Sequence, residues 1–140
     1  MRIVVASRDS FVRSALGILF RAQDDLTLVG DATDASDLRS MLNTRSPDLV
    51  IVDLDGFGSP FEESFAVVRG LDKLPRVFGI SVRPEDRASV LDSGADGFVY
   101  KGDPPEHLLA AIRSTGSAND VSRQDGANSK NERTTFGGPR

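Results

Sequence analysis

The stretch PDLVIVD at residues 47–53 predicts a strand that is buried on both faces. Its four central residues are all aliphatic and show no polar alternation, which is typical of a strand inside a parallel sheet. The strand ends on a carboxylate, Asp53. Because ligands bind at the C-terminal ends of the strands in an open α/β sheet, we expect Asp53 to lie at a functional edge.

The segments around this strand alternate between strand-like and helix-like patterns. Apolar runs of strand length lie at residues 2–6, 26–30, 48–53, 75–81 and 96–100. Apolar residues at helical spacing and start signals predict helices near 9–22, near 34–45, around 61–68, from Pro84 to just before Gly94, and from Asp103 onward. This alternation predicts an α/β fold of the flavodoxin-like (βα)5 type, a three-layer sandwich whose parallel sheet has the strand order 2-1-3-4-5.

Composition excludes several classes of site. The chain has 140 residues, no cysteine and one histidine, which excludes disulfides, thiolate metal sites, a cysteine nucleophile and a histidine-based zinc cluster. Its formal net charge of −4 does not favour a nucleic-acid-binding surface. No segment approaches the ~20 apolar residues of a membrane span, and the N-terminus does not resemble a signal peptide. We therefore expect a cytoplasmic protein with no membrane contact.

The composition changes after residue 115. Residues 116–140 are rich in Ser, Asn, Gly and Asp and contain few apolar residues, so they bury too little surface to offset the entropy of ordering. We expect one domain at residues 1–115 and a disordered tail or linker stub at 116–140. No helix-turn-helix follows the domain in this chain, so we do not expect the chain to bind DNA directly.

The side chains at the ends of the predicted strands suit phosphoryl transfer. They are Ser7 and Arg8 after the first strand, Asp53 after the third, Ser81 after the fourth and Lys101 after the fifth. A carboxylate can accept a phosphoryl group, while a hydroxyl and an ammonium stabilise the charge on its oxygens.

Several segments resemble the receiver domain of two-component response regulators, most closely the receivers of LuxR/NarL-type regulators. They are residues 1–5 with 11–13, residues 47–54, residues 94–101 (GADGFVYK) and residues 105–109 (PEHLL). The resemblance covers residues 1–115. It implies a stand-alone, CheY-like receiver domain that acts in phosphorelay signalling and is not an independent enzyme.

The resemblance also implies roles for individual residues. Asp53 matches the phosphoacceptor, Ser81 the hydroxyl that contacts the phosphoryl group, Lys101 the family's lysine and Phe98 its aromatic switch residue. The implied partners are a sensor histidine kinase or an output protein. The implied contact surface, which also suits a homodimer, is formed by the fourth helix, the fifth strand and the fifth helix.

Departures from the family pattern predict an atypical domain. Ser7 and Arg8 stand where the family has an acidic pair that binds Mg²⁺, a cation that prefers carboxylate ligands. Val82 stands where a small residue gives phosphodonors access, and Phe57 replaces the usual proline. We expect impaired or lost Mg²⁺-dependent phosphorylation of Asp53 and no cofactor. Mg²⁺ is expected only if the altered pocket still binds it, with Asp53 and Asp55 as weak candidate ligands.

Two hypotheses concern Arg8 and the residue that follows it, Asp9. Arg8 could replace the metal electrostatically by pairing with Asp53, and Asp9 is expected to cap the first helix.

Three alternatives remain at the level of sequence. One is a receiver that still accepts a phosphoryl group on Asp53 from a histidine kinase. Another is a pure interaction module with a fixed conformation. A remote one is a haloacid-dehalogenase-type phosphatase, because Asp53, Asp55 and Gly56 match its Asp-x-Asp-Gly motif, although that motif usually lies on the first strand.

Overall fold

The computed structural model describes residues 1–57, 60–71 and 73–114 and shows strands and helices in alternation. The strands are β1 (Arg2–Ala6), β2 (Thr27–Ala32), β3 (Leu49–Asp53), β4 (Arg76–Ser81) and β5 (Gly97–Tyr100). The helices are α1 (Ser10–Arg21), α2 (Ala35–Arg45), α3 (Phe61–Arg69) and α4 (Asp86–Asp92), followed by α5 over residues 105–114. The order of the elements is the one predicted from the sequence, and most of their boundaries lie within one residue of the prediction.

The five strands form one parallel sheet in the order β2-β1-β3-β4-β5. The flavodoxin-like α/β fold predicted from the sequence is therefore confirmed. The register pairs Ala6 with Val52 and Asp53 with Ile80, so β1, β3 and β4 end at nearly the same level. Because the strands are parallel, the residues that follow them share one edge of the sheet.

The centre of the sheet is buried on both faces, as the apolar runs predicted. All five residues of β3 are buried, and in β1 only Arg2 is exposed. On one face the strands contribute Val4, Ala6, Val50, Val52 and Val77 to a core that includes Leu38 and Leu42 of α2 and Val67 and Val68 of α3. This packing fixes the height of β3 in the sheet and hence the position of Asp53.

The end of β2 and the start of α4 each lie two residues from the prediction, and each has a clear local cause. β2 continues to Ala32 because its pairing with β1 shifts register between Ile3 and Val4 and then extends to the end of β1. α4 begins at Asp86 rather than Pro84, since the preceding residues form a turn in which Asp86 N–H donates to the Arg83 carbonyl. The expected cap of α1 is confirmed, because the Asp9 side chain accepts a hydrogen bond from the Phe11 N–H.

Residues Met1–Pro105 form one compact unit, and the part of α5 from Glu106 onward belongs to a second unit. Within that helix the buried side chains Leu108 and Ile112 are four residues apart and share one face. The predicted domain end at residue 115 and the predicted disordered tail at 116–140 lie outside the described residues. In the part of the chain that is described, no helix has the length and apolarity needed to cross a membrane.

Candidate functional site

The C-terminal edge of the sheet brings together most of the residues that the sequence singled out. Ser7 follows β1, Asp53 ends β3, Ser81 ends β4 and Lys101 follows β5. Ser7 and Lys101 both contact the Asp53 carboxylate. Ser81 is turned toward other partners.

Asp53 is fully buried, and both of its carboxylate oxygens are engaged. Oδ2 accepts a hydrogen bond from the Ser7 hydroxyl at 2.7 Å. Oδ1 lies 2.5 Å from the Lys101 ammonium and accepts hydrogen bonds from the backbone N–H groups of Asp55 at 3.1 Å and Gly56 at 3.2 Å. A buried carboxylate needs such partners, since an unpaired buried charge is strongly unfavourable.

Lys101 bridges two carboxylates. Its ammonium lies 2.5 Å from Asp53 and 3.0 Å from Asp55, and 19% of its side chain is exposed. Burial alone lowers the pKa of Lys101, but the hydrogen bonds and the attraction to Asp53 and Asp55 outweigh it, so the pKa lies above the ordinary value of 10.5. Lys101 is therefore a fixed positive charge at the site.

Asp55 has polar neighbours on three sides. Its carboxylate accepts from the Val82 N–H at 2.8 Å and from Lys101, and the Ser81 hydroxyl lies at 3.3 Å. Burial alone raises the pKa of Asp55, but the Val82 hydrogen bond and the contacts with Lys101 outweigh it, so the pKa lies below the ordinary value of 3.8. The Val82 side chain itself is exposed.

Ser7 and Arg8 occupy different environments. Ser7 is fully buried, and its hydroxyl donates to Asp53 while accepting from the Asp9 N–H at 3.0 Å. The Arg8 side chain is exposed, and only its backbone N–H reaches the site region, where it donates to the Gly56 carbonyl.

The hypothesis that Arg8 pairs with Asp53 is therefore wrong. Asp53 pairs with Lys101, because the side chain after β5 points into the sheet edge whereas that of Arg8 points to solvent.

Ser81 is held by a residue that the sequence analysis did not single out. Its buried hydroxyl donates to the Asp86 carboxylate at 2.8 Å and accepts from the Arg83 N–H at 2.9 Å. Asp86 also lies 3.4 Å from the Arg83 guanidinium. An acidic residue in the first turn of a helix is common, so only its position five residues after Ser81 hinted at this contact.

Phe98 is also fixed by a residue that the sequence analysis missed. The ring is 4% exposed, and the Arg87 guanidinium lies 5.6 Å from its centroid. The same guanidinium donates to the Phe98 carbonyl at 3.4 Å. The Phe98 ring is therefore buried, and the Arg87 guanidinium lies over it.

The donor set around Asp53 does not fit the magnesium ion that the fold family implies. Mg²⁺ requires near-octahedral oxygen ligands, usually with one or two carboxylates. Here Asp53 Oδ2 faces the neutral Ser7 hydroxyl, and Asp9, the next acid along the chain, caps α1. Among the described residues, no group of three His, Cys, Asp or Glu side chains is arranged to hold a metal ion.

Comparison with known proteins agrees with the fold. No protein-family model matches the chain. The nitrate/nitrite response regulator protein NarL of Escherichia coli K12 is 30% identical over 112 residues, which are 79% of this chain and 52% of that protein. Transcriptional regulatory protein DesR of Bacillus subtilis strain 168 is 28% identical over 112 residues, or 80% and 56% of the two chains. The chain thus spans about half the length of the curated relatives that it matches.

Solved structures show the same fold. A two-component response regulator of the LuxR family from Aurantimonas sp. SI85-9A1 superposes with a TM-score of 0.74 at 21% identity, covering 90% of this chain and 98% of that chain. The chain is therefore similar in sequence to LuxR/NarL-type response regulators, and its five-stranded parallel sheet has the fold of their receiver domains.

Proposed function

We propose that this receiver domain is atypical and works by protein–protein contact, with Mg²⁺-dependent phosphorylation of Asp53 impaired or lost. The observation that carries the proposal is the buried hydrogen bond from Ser7 to Asp53 Oδ2. A neutral hydroxyl occupies the position from which a carboxylate would supply a metal ligand. The partners that we propose are a sensor histidine kinase or an output protein.

The charges at the site support this proposal. Lys101 already places one positive charge against Asp53 and Asp55, and Arg8 stands where the family has an acid. A divalent cation at Asp53 would therefore find no acidic pair and would be repelled by the Lys101 ammonium, which lies 2.5 Å from Asp53 Oδ1. We infer that the Lys101 ion pair and the Ser7 hydrogen bond hold the Asp53 carboxylate without a metal ion.

A phosphorylation assay tests the proposal. The purified chain is incubated with acetyl phosphate with and without Mg²⁺, and phosphoryl incorporation is followed by intact-protein mass spectrometry. We expect no Mg²⁺-dependent gain of a phosphoryl group. Robust Mg²⁺-dependent labelling that disappears in Asp53→Asn would contradict the proposal.

A variant that restores the acidic pair is the matched control. In Ser7→Asp combined with Arg8→Asp, three carboxylates surround the site, so we expect Mg²⁺ to raise the melting temperature through binding to the native state. Mg²⁺ should leave the melting temperature of the unaltered chain unchanged. Equal Mg²⁺ stabilisation of both proteins would show that Ser7 and Arg8 do not prevent metal binding.

A phosphorylation-competent receiver is the second candidate, and the Lys101–Asp53 ion pair favours it. The Asp53 carboxylate could attack the phosphorus of a donor, forming an acyl-phosphate bond while the bond to the donor's leaving oxygen breaks. Lys101 would then stabilise the phosphoryl oxygens. The acetyl phosphate assay separates the two candidates, and turnover of a generic aryl phosphate would instead indicate the phosphatase alternative based on Asp53 and Asp55.

A further inference from the structure

Helix α4 begins with two adjacent charged residues that contact different parts of the domain. Asp86 accepts the hydrogen bond from Ser81 at the end of β4, and Arg87 covers the ring of Phe98 in β5. We propose that Asp86 and Arg87 form a two-point latch. This latch ties the first turn of α4 to the site and holds the Ser81 hydroxyl and the Phe98 ring in a single arrangement.

The start of α4 depends on these contacts because the helix has little stability of its own. It is seven residues long, and its N-cap residue, Glu85, makes no side-chain capping hydrogen bond. A helix this short is marginal in water without tertiary contacts. The Asp86 carboxylate, which could otherwise compensate the free N–H groups of the first turn, is directed to Ser81 instead.

The later turn of α4 is fixed differently. Val90 is 2% exposed and packs so closely on β4 that a Cβ atom at Gly79 would lie 3.0 Å from its Cγ1. The apolar contact holds this end of the helix against the sheet. The polar latch therefore controls the first turn alone, which can change position without unpacking Val90.

The hydroxyl of Ser81 is the element that links the latch to Asp53. A serine hydroxyl has one hydrogen to donate. At present it is directed to Asp86 at 2.8 Å, with Asp55 further away at 3.3 Å. The Ser81 hydroxyl therefore cannot donate to Asp86 and to an acceptor beside Asp53 at the same time. A group at Asp53 that takes this hydrogen would release Asp86, and a closed latch keeps the hydroxyl from such a group.

The contact between Arg87 and Phe98 extends the latch to β5. The guanidinium donates to the Phe98 carbonyl and lies over the ring, so it covers both the backbone and the side chain of one residue. Because Arg87 adjoins Asp86 in the first helical turn, a displacement of one moves the other.

All these contacts exist in the unmodified chain, so the latch can be tested without phosphorylation of Asp53. Hydrogen–deuterium exchange of the full chain, read by mass spectrometry, tests it. We expect Asp86→Ala and Ser81→Ala each to speed the exchange of the α4 amides about tenfold, with β1 and β3 unchanged. The double variant should be no faster than either single variant, because both remove the same bond.

Conservative and matched variants keep the test decisive. Ser81→Thr retains the hydroxyl and should retain protection, whereas Asp92→Ala, an exposed acid at the other end of α4, should not speed the exchange. If Asp86→Ala opens the whole sheet, Asp86→Asn, which keeps an acceptor oxygen, should restore protection. Unchanged exchange in Ser81→Ala, additive effects in the double variant, or failure of Asp86→Asn would overturn the proposal.

The second contact has its own measurement. Oxidative footprinting with mass spectrometry reports the solvent exposure of Phe98. We expect Arg87→Ala to increase labelling of Phe98 several-fold and to speed exchange in the first turn of α4, whereas Arg87→Lys, which keeps a cation over the ring, should do so less. Equal labelling of Phe98 in Arg87→Ala and in the unaltered chain would show that Arg87 does not cover the ring.

Discussion

At the residue scale, the ion pair between Lys101 and Asp53 holds the site together. Asp53 has no solvent exposure, so water cannot stabilise its charge, and Lys101 is the cation within contact distance. The hydrogen bonds from Ser7 and from two backbone N–H groups satisfy the remaining acceptor positions. Such a fully satisfied buried charge fixes side-chain positions, and removal of one partner leaves the other uncompensated.

This arrangement predicts the effect of removing the ammonium. Lys101→Met keeps the apolar part of the side chain but leaves Asp53 buried without a counter-charge, so we expect a loss of about 3 kcal/mol in the free energy of unfolding. Urea unfolding measures it. Lys73→Met, which changes an exposed lysine, is the control. A loss of less than about 1 kcal/mol in Lys101→Met, as for an exposed ion pair, would contradict the buried-pair description.

At the scale of secondary-structure elements, β5 packs beside β4 through a glycine. Gly97 pairs with Phe78, whose ring is almost fully buried and lies over the position that a Cβ atom would occupy. The distances from that position to ring atoms Cζ and Cε1 are 2.7 and 2.8 Å. Since real Cβ atoms do not approach other atoms so closely, the ring fills the space that the glycine leaves. The placement of Phe98 and Lys101, which follow in the chain, depends on this packing.

A methyl group at this position should therefore be destabilising. We expect Gly97→Ala to lower the free energy of unfolding by about 1–3 kcal/mol, because the buried Phe78 ring must shift in a filled core. Gly70→Ala is the matched control, since its added Cβ would meet nothing closer than 3.6 Å and its φ of −80° suits any residue. That variant should be unchanged or slightly more stable. Equal urea midpoints for the two variants would contradict the steric explanation.

At the scale of the whole molecule, the two shifted pKa values predict how stability depends on pH. The pKa of Asp55 is lowered in the folded state, so its contribution is present above 3.8 and is lost as the pH falls through the lower folded value. The pKa of Lys101 is raised, so its contribution is present below 10.5 and is lost as the pH rises through the higher folded value. Both contributions are complete between these limits.

Urea unfolding at a series of pH values measures this dependence. Relative to the unaltered chain, Asp55→Asn should reduce the loss of stability on the acid side, and Lys101→Met should reduce it on the alkaline side, because each variant removes one titrating group. Asp92→Asn, which changes an exposed acid, should leave the shape of both limbs unchanged. An acid limb identical in Asp55→Asn and the unaltered chain would show that Asp55 is not stabilised as a carboxylate by folding.

The sequence by itself determined the elements and their order. The apolar run at residues 47–53 predicted a buried strand ending at Asp53, and the structure has that strand as β3 with every residue buried. The alternation of strands and helices was sufficient for the sheet order, because short right-handed connections leave few other arrangements. The same rule placed Ser7, Asp53 and Lys101 at one edge, where they are in contact.

Only the tertiary structure decided which side chains pair. Arg8 and Lys101 are both cations at strand ends, and the direction in which each leaves the sheet makes Lys101 the partner of Asp53 and exposes Arg8. The contacts of Asp86 and Arg87 join α4 to β4 and β5, and no local pattern indicates them because they depend on how the helix lies on the sheet. Periodicity in a sequence follows from local backbone geometry, whereas ion pairs and hydrogen bonds between distant residues follow from packing.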